Sequence, residues 1–105
     1  MIDITVKNIR TEKPTHPWDV KVDRSSYFGN GFVMKNESER DQVCDLYKQW
    51  FYDELYDSAM QAELSFLNNI IIKYGKLNLF CWCAPKRCHA EVIKDYLVEN
   101  FKGEK

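Results

Sequence analysis

The chain lacks a dominant charge. Fifteen Lys and Arg stand against sixteen Asp and Glu, a formal net charge of −1, so no global field steers it toward nucleic acid or an anionic membrane. It also lacks any run near the ~20 apolar residues of a membrane span. Residues 1–6 carry no basic segment followed by a long apolar one, so a signal peptide is not expected. Internal repeats and low-complexity segments are absent too. A cytoplasmic location is the expectation, and with it a reducing environment for the four cysteines. Their thiols are then candidates for metal ligation, catalysis or burial rather than disulfides.

What is present is ordinary for a globular protein, with 45% hydrophobic and 30% charged residues. At 105 residues the chain is long enough for one domain with a modest core. Three Trp, six Tyr and six Phe exceed what so small a core needs. Some of these rings are expected to line a pocket.

Apolar periodicity orders the chain. Ile2, Ile4 and Val6 alternate with Asp3, Thr5 and Lys7, which reads as a first strand. Residues 8–17, with two prolines, read as a loop in which His16 has no role. Val20 and Val22 alternate with Lys21 and Asp23 in a short second strand, and Gly29-Asn30-Gly31 marks a tight turn calling for positive φ.

A helix follows, capped by Asn36 with Glu39 or by Ser38. Its buried face is Val43, Leu46, Tyr47, Trp50, Phe51 and Leu55. A second helix starts near Asp57 or Ser58 and buries Met60, Leu64 and Leu67. Ile70-Ile71-Ile72 fits a helix end or a short strand. Gly75 breaks the chain before a third strand over 77–82. Val92, Ile93, Tyr96, Leu97 and Phe101 form a closing helix that ends at Gly103. Strands separated by helices predict a single α/β domain, with a small, at least partly parallel sheet flanked by three or four helices.

In such a sheet the ligand crevice lies beyond the carboxyl ends of the strands. That rule gathers Asn8 and Arg10 after the first strand, residues 24–30 after the second and residues 81–89 after the third. The last segment, Cys81-Trp82-Cys83-Ala84-Pro85-Lys86-Arg87-Cys88-His89, holds three of the four cysteines and one of the two histidines. In a strand Cys81 and Cys83 share a face. Cys88 and His89 fall at the start of the last helix, where the helix dipole together with Lys86 and Arg87 is expected to lower a thiol pKa.

Three readings of these cysteines stand side by side: core packing, a reactive thiol at Cys88 with His89 as base, and a zinc site. Zinc is disfavoured because the usual two-residue spacing between paired cysteines is missing, and neither a metal nor another cofactor is expected. Cys44 reads as packing. Asp23 is either a general base or a loop-capping residue. Arg10 and Arg24, with Asn8, Gly29, Asn30 and Cys83, are the candidate ligand-binding residues, since arginines and a Gly-rich turn suit a phosphate or carboxylate. Lys35, Arg40 and Lys48, mixed with as many acids, read as a solvated helix face rather than a nucleic-acid patch.

The combination Asn8-Ile9-Arg10, Asp23-Arg24-Ser25-Ser26-Tyr27-Phe28-Gly29-Asn30-Gly31-Phe32, Arg40, and Leu79-Phe80-Cys81-Trp82-Cys83-Ala84-Pro85 with Cys88-His89 resembles domain-of-unknown-function family 4326. Such domains occur in bacteria and tailed phages, and the resemblance spans nearly the whole chain. Tyr27 and Gly31 stand where the family usually has prolines, while Ser26, Gly29, Asn30 and Phe32 are kept. The resemblance implies a compact α/β domain and carries no established reaction.

Two functional expectations follow. The first is a site for a nucleotide or phosphorylated small molecule, with Tyr27, Phe28 or Trp82 stacking on the base and with Cys88, His89 and Asp23 as the groups for any catalysis. The second is a non-catalytic module that binds a host or partner protein, its cysteines structural.

Overall fold

The computed structural model describes residues 3–23, 25–32, 34–83 and 86–101. Three strands form one sheet: β1 (Asp3–Asn8), β2 (Asp19–Lys21) and β3 (Lys76–Cys81). Their order is β1-β3-β2, and both pairings are parallel. The sheet is thus wholly parallel, and the chain is a mixed α/β fold as its alternating periods imply. Residues 9–18 cross from the end of β1 to the start of β2 without a helix.

Strand β3 is central, and it shows why. Leu77, Leu79, Phe80 and Cys81 are fully buried, the nearly continuous apolar run of a strand covered on both faces. Backbone bonds continue the pairing past the strand ends. The Ile9 N–H donates to the Cys81 carbonyl at 2.9 Å and the Val22 N–H to the Phe80 carbonyl at 2.9 Å. These bonds bring the segments after β1 and β2 to the carboxyl end of β3.

The helices are α1 (Arg40–Asp53), α2 (Ser58–Tyr74) and α3 (Ala90–Asn100). A 3-10 turn over Glu37–Glu39 leads into α1, with Asn36 accepting from the Ser38 N–H at 3.1 Å. Glu39 reaches back to the Lys35 N–H at 2.9 Å, one residue before the capping-box position, so the signal is read correctly and its geometry is shifted. Asp57 caps α2 by accepting from the Ala59 N–H at 2.7 Å. Gly75 ends it at φ 76°, donating to the Ile71 carbonyl at 2.8 Å. Ile70, Ile71 and Ile72 are helical, the first two buried and the third exposed.

Packing follows the stripes. Met60, Leu64, Leu67, Ile70 and Ile71 of α2 join the core with Val92, Ile93 and Leu97 of α3, and both helices pack on β3. Helix α1 meets α3 through Phe51 and Tyr96, ring centroids 5.6 Å apart.

Several expectations need correction. Leu46 is 43% exposed, because it lies ~100° around the helix from Tyr47, off the stripe. Among the described residues the left-handed position is Gly75, so the Gly29-Asn30-Gly31 segment turns without positive φ. That loop is shaped instead by hydrogen bonds: Gly29 N–H to the Ser26 carbonyl at 3.1 Å and Phe32 N–H to the Asn30 side chain at 2.8 Å. His16 does have a structural role, stacked on Trp18 at 4.6 Å. Asn8 is the last residue of β1 rather than the first of a loop, and β2 stops at Lys21. Ile2 and Gly103, expected at the start of β1 and the end of α3, lie outside the described residues.

Candidate functional site at the strand ends

A cavity of about 370 Å³ opens beyond the carboxyl ends of β2 and β3, within the size range of small-molecule sites. Three segments meet there: the loop after β2, the first turns of α1, and the connection from β3 into α3. Phe32, Met34 and Val43 give it an apolar side. Asp23, Arg40, Arg87, Trp82 and His89 supply the polar groups, and Cys44, Cys83 and Cys88 contribute thiols.

The residues leading into α3 are held by a chain of contacts. His89 is buried, and its Nε2 bonds the Val22 carbonyl. A carbonyl only accepts, so Nε2 carries the proton, and in the neutral ring the Nδ1 lone pair faces Cys88. The Cys88 sulfur lies 3.5 Å from Nδ1. This is the orientation in which an imidazole takes a thiol proton. The thiol itself is 2% exposed. Its hydrogen bond with Cys81, followed by burial, pushes its pKa far above the ordinary value, against a smaller opposing effect from the Ala90 N–H. The expected lowering by the helix dipole is therefore reversed. Desolvation and a neighbouring sulfur outweigh one helix terminus.

Asp23 is also buried. Burial pushes its pKa up, but the side-chain and backbone donors of Ser25 and the Trp82 indole outweigh that and hold it below the ordinary carboxylate value. The Ser25 N–H donates to one carboxylate oxygen at 3.0 Å and the Trp82 Nε1–H to the other at 3.1 Å. An ionised carboxylate so engaged is a loop anchor, and it fixes the rotation of Trp82, which is 49% exposed.

Asn8 and Arg10 brace the other side of that ring's segment. The Asn8 amide donates to the Trp82 carbonyl at 3.3 Å, and the Arg10 guanidinium lies 5.9 Å from the Trp82 ring centroid.

Two guanidinium groups flank the cavity. Arg40 binds Glu37 at 3.0 and 2.6 Å and donates to the Arg87 carbonyl at 3.0 Å. Its pKa is held above the ordinary value, first by Glu37 and then by the Cys83 sulfur. Arg87 reaches Asp41 at 3.0 Å and Asp45 at 2.8 Å on α1. Such pairs contribute little stability where exposed, but they orient the guanidinium forks. Each fork has five N–H donors, more than these protein partners use.

Of the residues expected at one crevice, the structure brings together Asp23, Asn30, Cys83, Cys88 and His89 on the cavity wall. Asn8 and Arg10 lie behind it against Trp82, and Gly29 serves the loop backbone. Arg24 lies outside the described residues. Arg40, read as a solvated charge, has a side chain 16% exposed at the cavity, and Cys44 is both buried packing and cavity wall. Arg87 lies in the 81–89 segment that the strand-end rule gathers, but no sequence pattern gives it, Phe32 or Met34 a binding role. Only the position of α1 across the strand ends selects them, and that contact is tertiary. Among the described residues no group of three or more His, Cys, Asp and Glu side chains is placed to hold a metal ion.

Residues 6–99 match the model of the domain of unknown function DUF4326. The chain belongs to this family. One relative in sequence is an uncharacterized 12.4 kDa protein from the nrdA-td intergenic region of Enterobacteria phage T4. It is 27% identical over 88 residues, which cover 83% of this chain and 74% of the phage protein. No solved structure matches the chain. The site in this DUF4326 domain is therefore argued from its own geometry. No described helix is long and apolar enough to cross a membrane.

Proposed function

We propose that the strand-end cavity binds a small anionic metabolite of the nucleotide class, a phosphorylated molecule carrying a flat ring. The observation that carries this reading is the pairing of two oriented guanidinium groups, Arg40 and Arg87, with a half-exposed Trp82 on one cavity. Guanidinium forks suit phosphate oxygens, and an indole face offers ~1–3 kcal/mol of stacking per base. Phe28 is buried in the core and Tyr27 packs against Phe28 and Trp50. Trp82 is thus the ring best placed to stack. Asp23 acts in this reading as the group that aims Trp82, not as a proton acceptor.

A panel of nucleoside mono-, di- and triphosphates, free nucleosides and sugar phosphates, read by thermal unfolding, tests it. A ligand at 100 times its Kd adds ~2.7 kcal/mol of stability. Trp82→Ala should abolish the shift for nucleotides; because it also removes the indole donor from Asp23, each ligand shift is read against the variant's own unliganded melting temperature. The competing reading, a module that binds a host or partner protein, draws on the exposed Tyr56, Phe66 and Ile72. It predicts no shift with any member of the panel.

A further inference from the structure

We propose that Cys83 is a thiol modification site, oxidised by a hydroperoxide that enters the cavity, with Cys88 as the thiol that resolves it into a disulfide. The four cysteines differ in access: Cys44, Cys81 and Cys88 are buried, while Cys83 is half-buried and faces the cavity. Cys83 and the Arg40 guanidinium line the same cavity, and the two groups interact. Redox-sensitive thiols are accessible, lie beside cationic donors and have a second cysteine within reach. Cys88 meets the last condition, since it lines the same cavity five residues further along the chain.

The chemistry balances in two steps. Cys83 releases its thiol proton as its sulfur attacks one peroxide oxygen; an S–O bond forms, the O–O bond breaks, and the departing oxygen takes up that proton and leaves as alcohol or water. The N–H donors of Arg40 face the oxygen now on sulfur. The Cys88 sulfur then attacks Cys83, an S–S bond forms, the S–O bond breaks, and hydroxide leaves to become water. The proton for that water is the one Cys88 gives up, and His89 Nδ1, 3.5 Å from its sulfur, is placed to take and return it. Two electrons pass from the sulfur pair to the peroxide. This inference does not depend on the nucleotide reading, because the oxidant is its own reactant.

The experiment exposes the reduced full chain to equimolar hydrogen peroxide and maps the products by peptide mass spectrometry after blocking remaining thiols. The expected wild-type product is a Cys83–Cys88 disulfide. Cys88→Ser should instead accumulate a sulfenic acid at Cys83 that dimedone traps, and Cys83→Ser should give neither product. Iodoacetamide labelling of the untouched wild type gives a check independent of any variant's folding, with Cys83 expected to react at least about tenfold faster than Cys44. Equal labelling rates, oxidation confined to Cys44, or a Cys81–Cys88 disulfide forming as fast in Cys83→Ser as in wild type would each overturn the proposal.

Discussion

The Asp19 side chain is 2% exposed and ties three segments together. One oxygen accepts from the backbone N–H groups of Thr15 and His16 at 2.9 Å each, and the other from the Asn78 amide of β3 at 2.8 Å. Burial pushes its pKa up, but the His16 and Thr15 backbone donors and the Asn78 amide outweigh it and lower the value from 3.8 to about 2. A carboxylate whose folded pKa is depressed contributes stability above its unfolded pKa and loses it as pH falls through the folded one. Asp19→Asn is therefore expected to cost about 2 kcal/mol at neutral pH. The gap between variant and wild type should close as pH falls from 3.8 toward about 2. Urea unfolding of both proteins at several pH values checks this, and a gap that stays constant would show that charge is not the cause. Cys88 makes the complementary point. Its neighbours in sequence, Lys86 and Arg87, suggest an activated thiol, whereas its neighbours in space, Cys81 and the core, keep it protonated.

At the scale of elements, the glycines divide by backbone conformation. Gly75 sits at φ 76° with open space where a Cβ would stand, so Gly75→Ala tests conformational strain without a clash. It should destabilise by about 1 kcal/mol and lower Tm by roughly 4–8 °C. Gly31 also has open space but no left-handed φ, so Gly31→Ala should stay within about 0.5 kcal/mol of wild type. Thermal melts of the two variants side by side decide whether backbone conformation is what separates them.

The elements themselves were largely legible because each is specified locally. Leu77 and Leu79 announce β3, Asp57 and Gly75 bracket α2, and Met60, Leu64 and Leu67 mark its buried stripe. The strand-end rule was enough to place Asp23, Cys83, Cys88 and His89 together. Arg40 escapes because it becomes a site residue only when the start of α1 meets the segment before α3, and Arg87, although inside the 81–89 segment, takes its binding role from that same contact. No local period records that contact. The Gly-Asn-Gly segment misled for a related reason, since Ser26, Asn30 and the Tyr47 hydroxyl on the Phe28 carbonyl at 2.8 Å hold the loop instead of special φ values.

For the whole molecule, the sheet order β1-β3-β2 decides where function is placed. A central β3 delivers Trp82 and Cys83 between the ends of its two partners, and α1 closes the space with Arg40 and Cys44. The proposed occupant of this space is an anionic ligand of the nucleotide class. Titrating the isotope-labelled chain with a nucleoside monophosphate, while recording amide, indole and arginine N–H shifts, tests it most directly. Saturable shifts are predicted at the Trp82 indole, the Arg40 and Arg87 guanidinium groups and the Cys83 and His89 amides, with Phe66 and Ile72 on α2 unmoved. Shifts that fail to saturate, or that gather on α2 and spare Trp82, would rule out a nucleotide in this cavity.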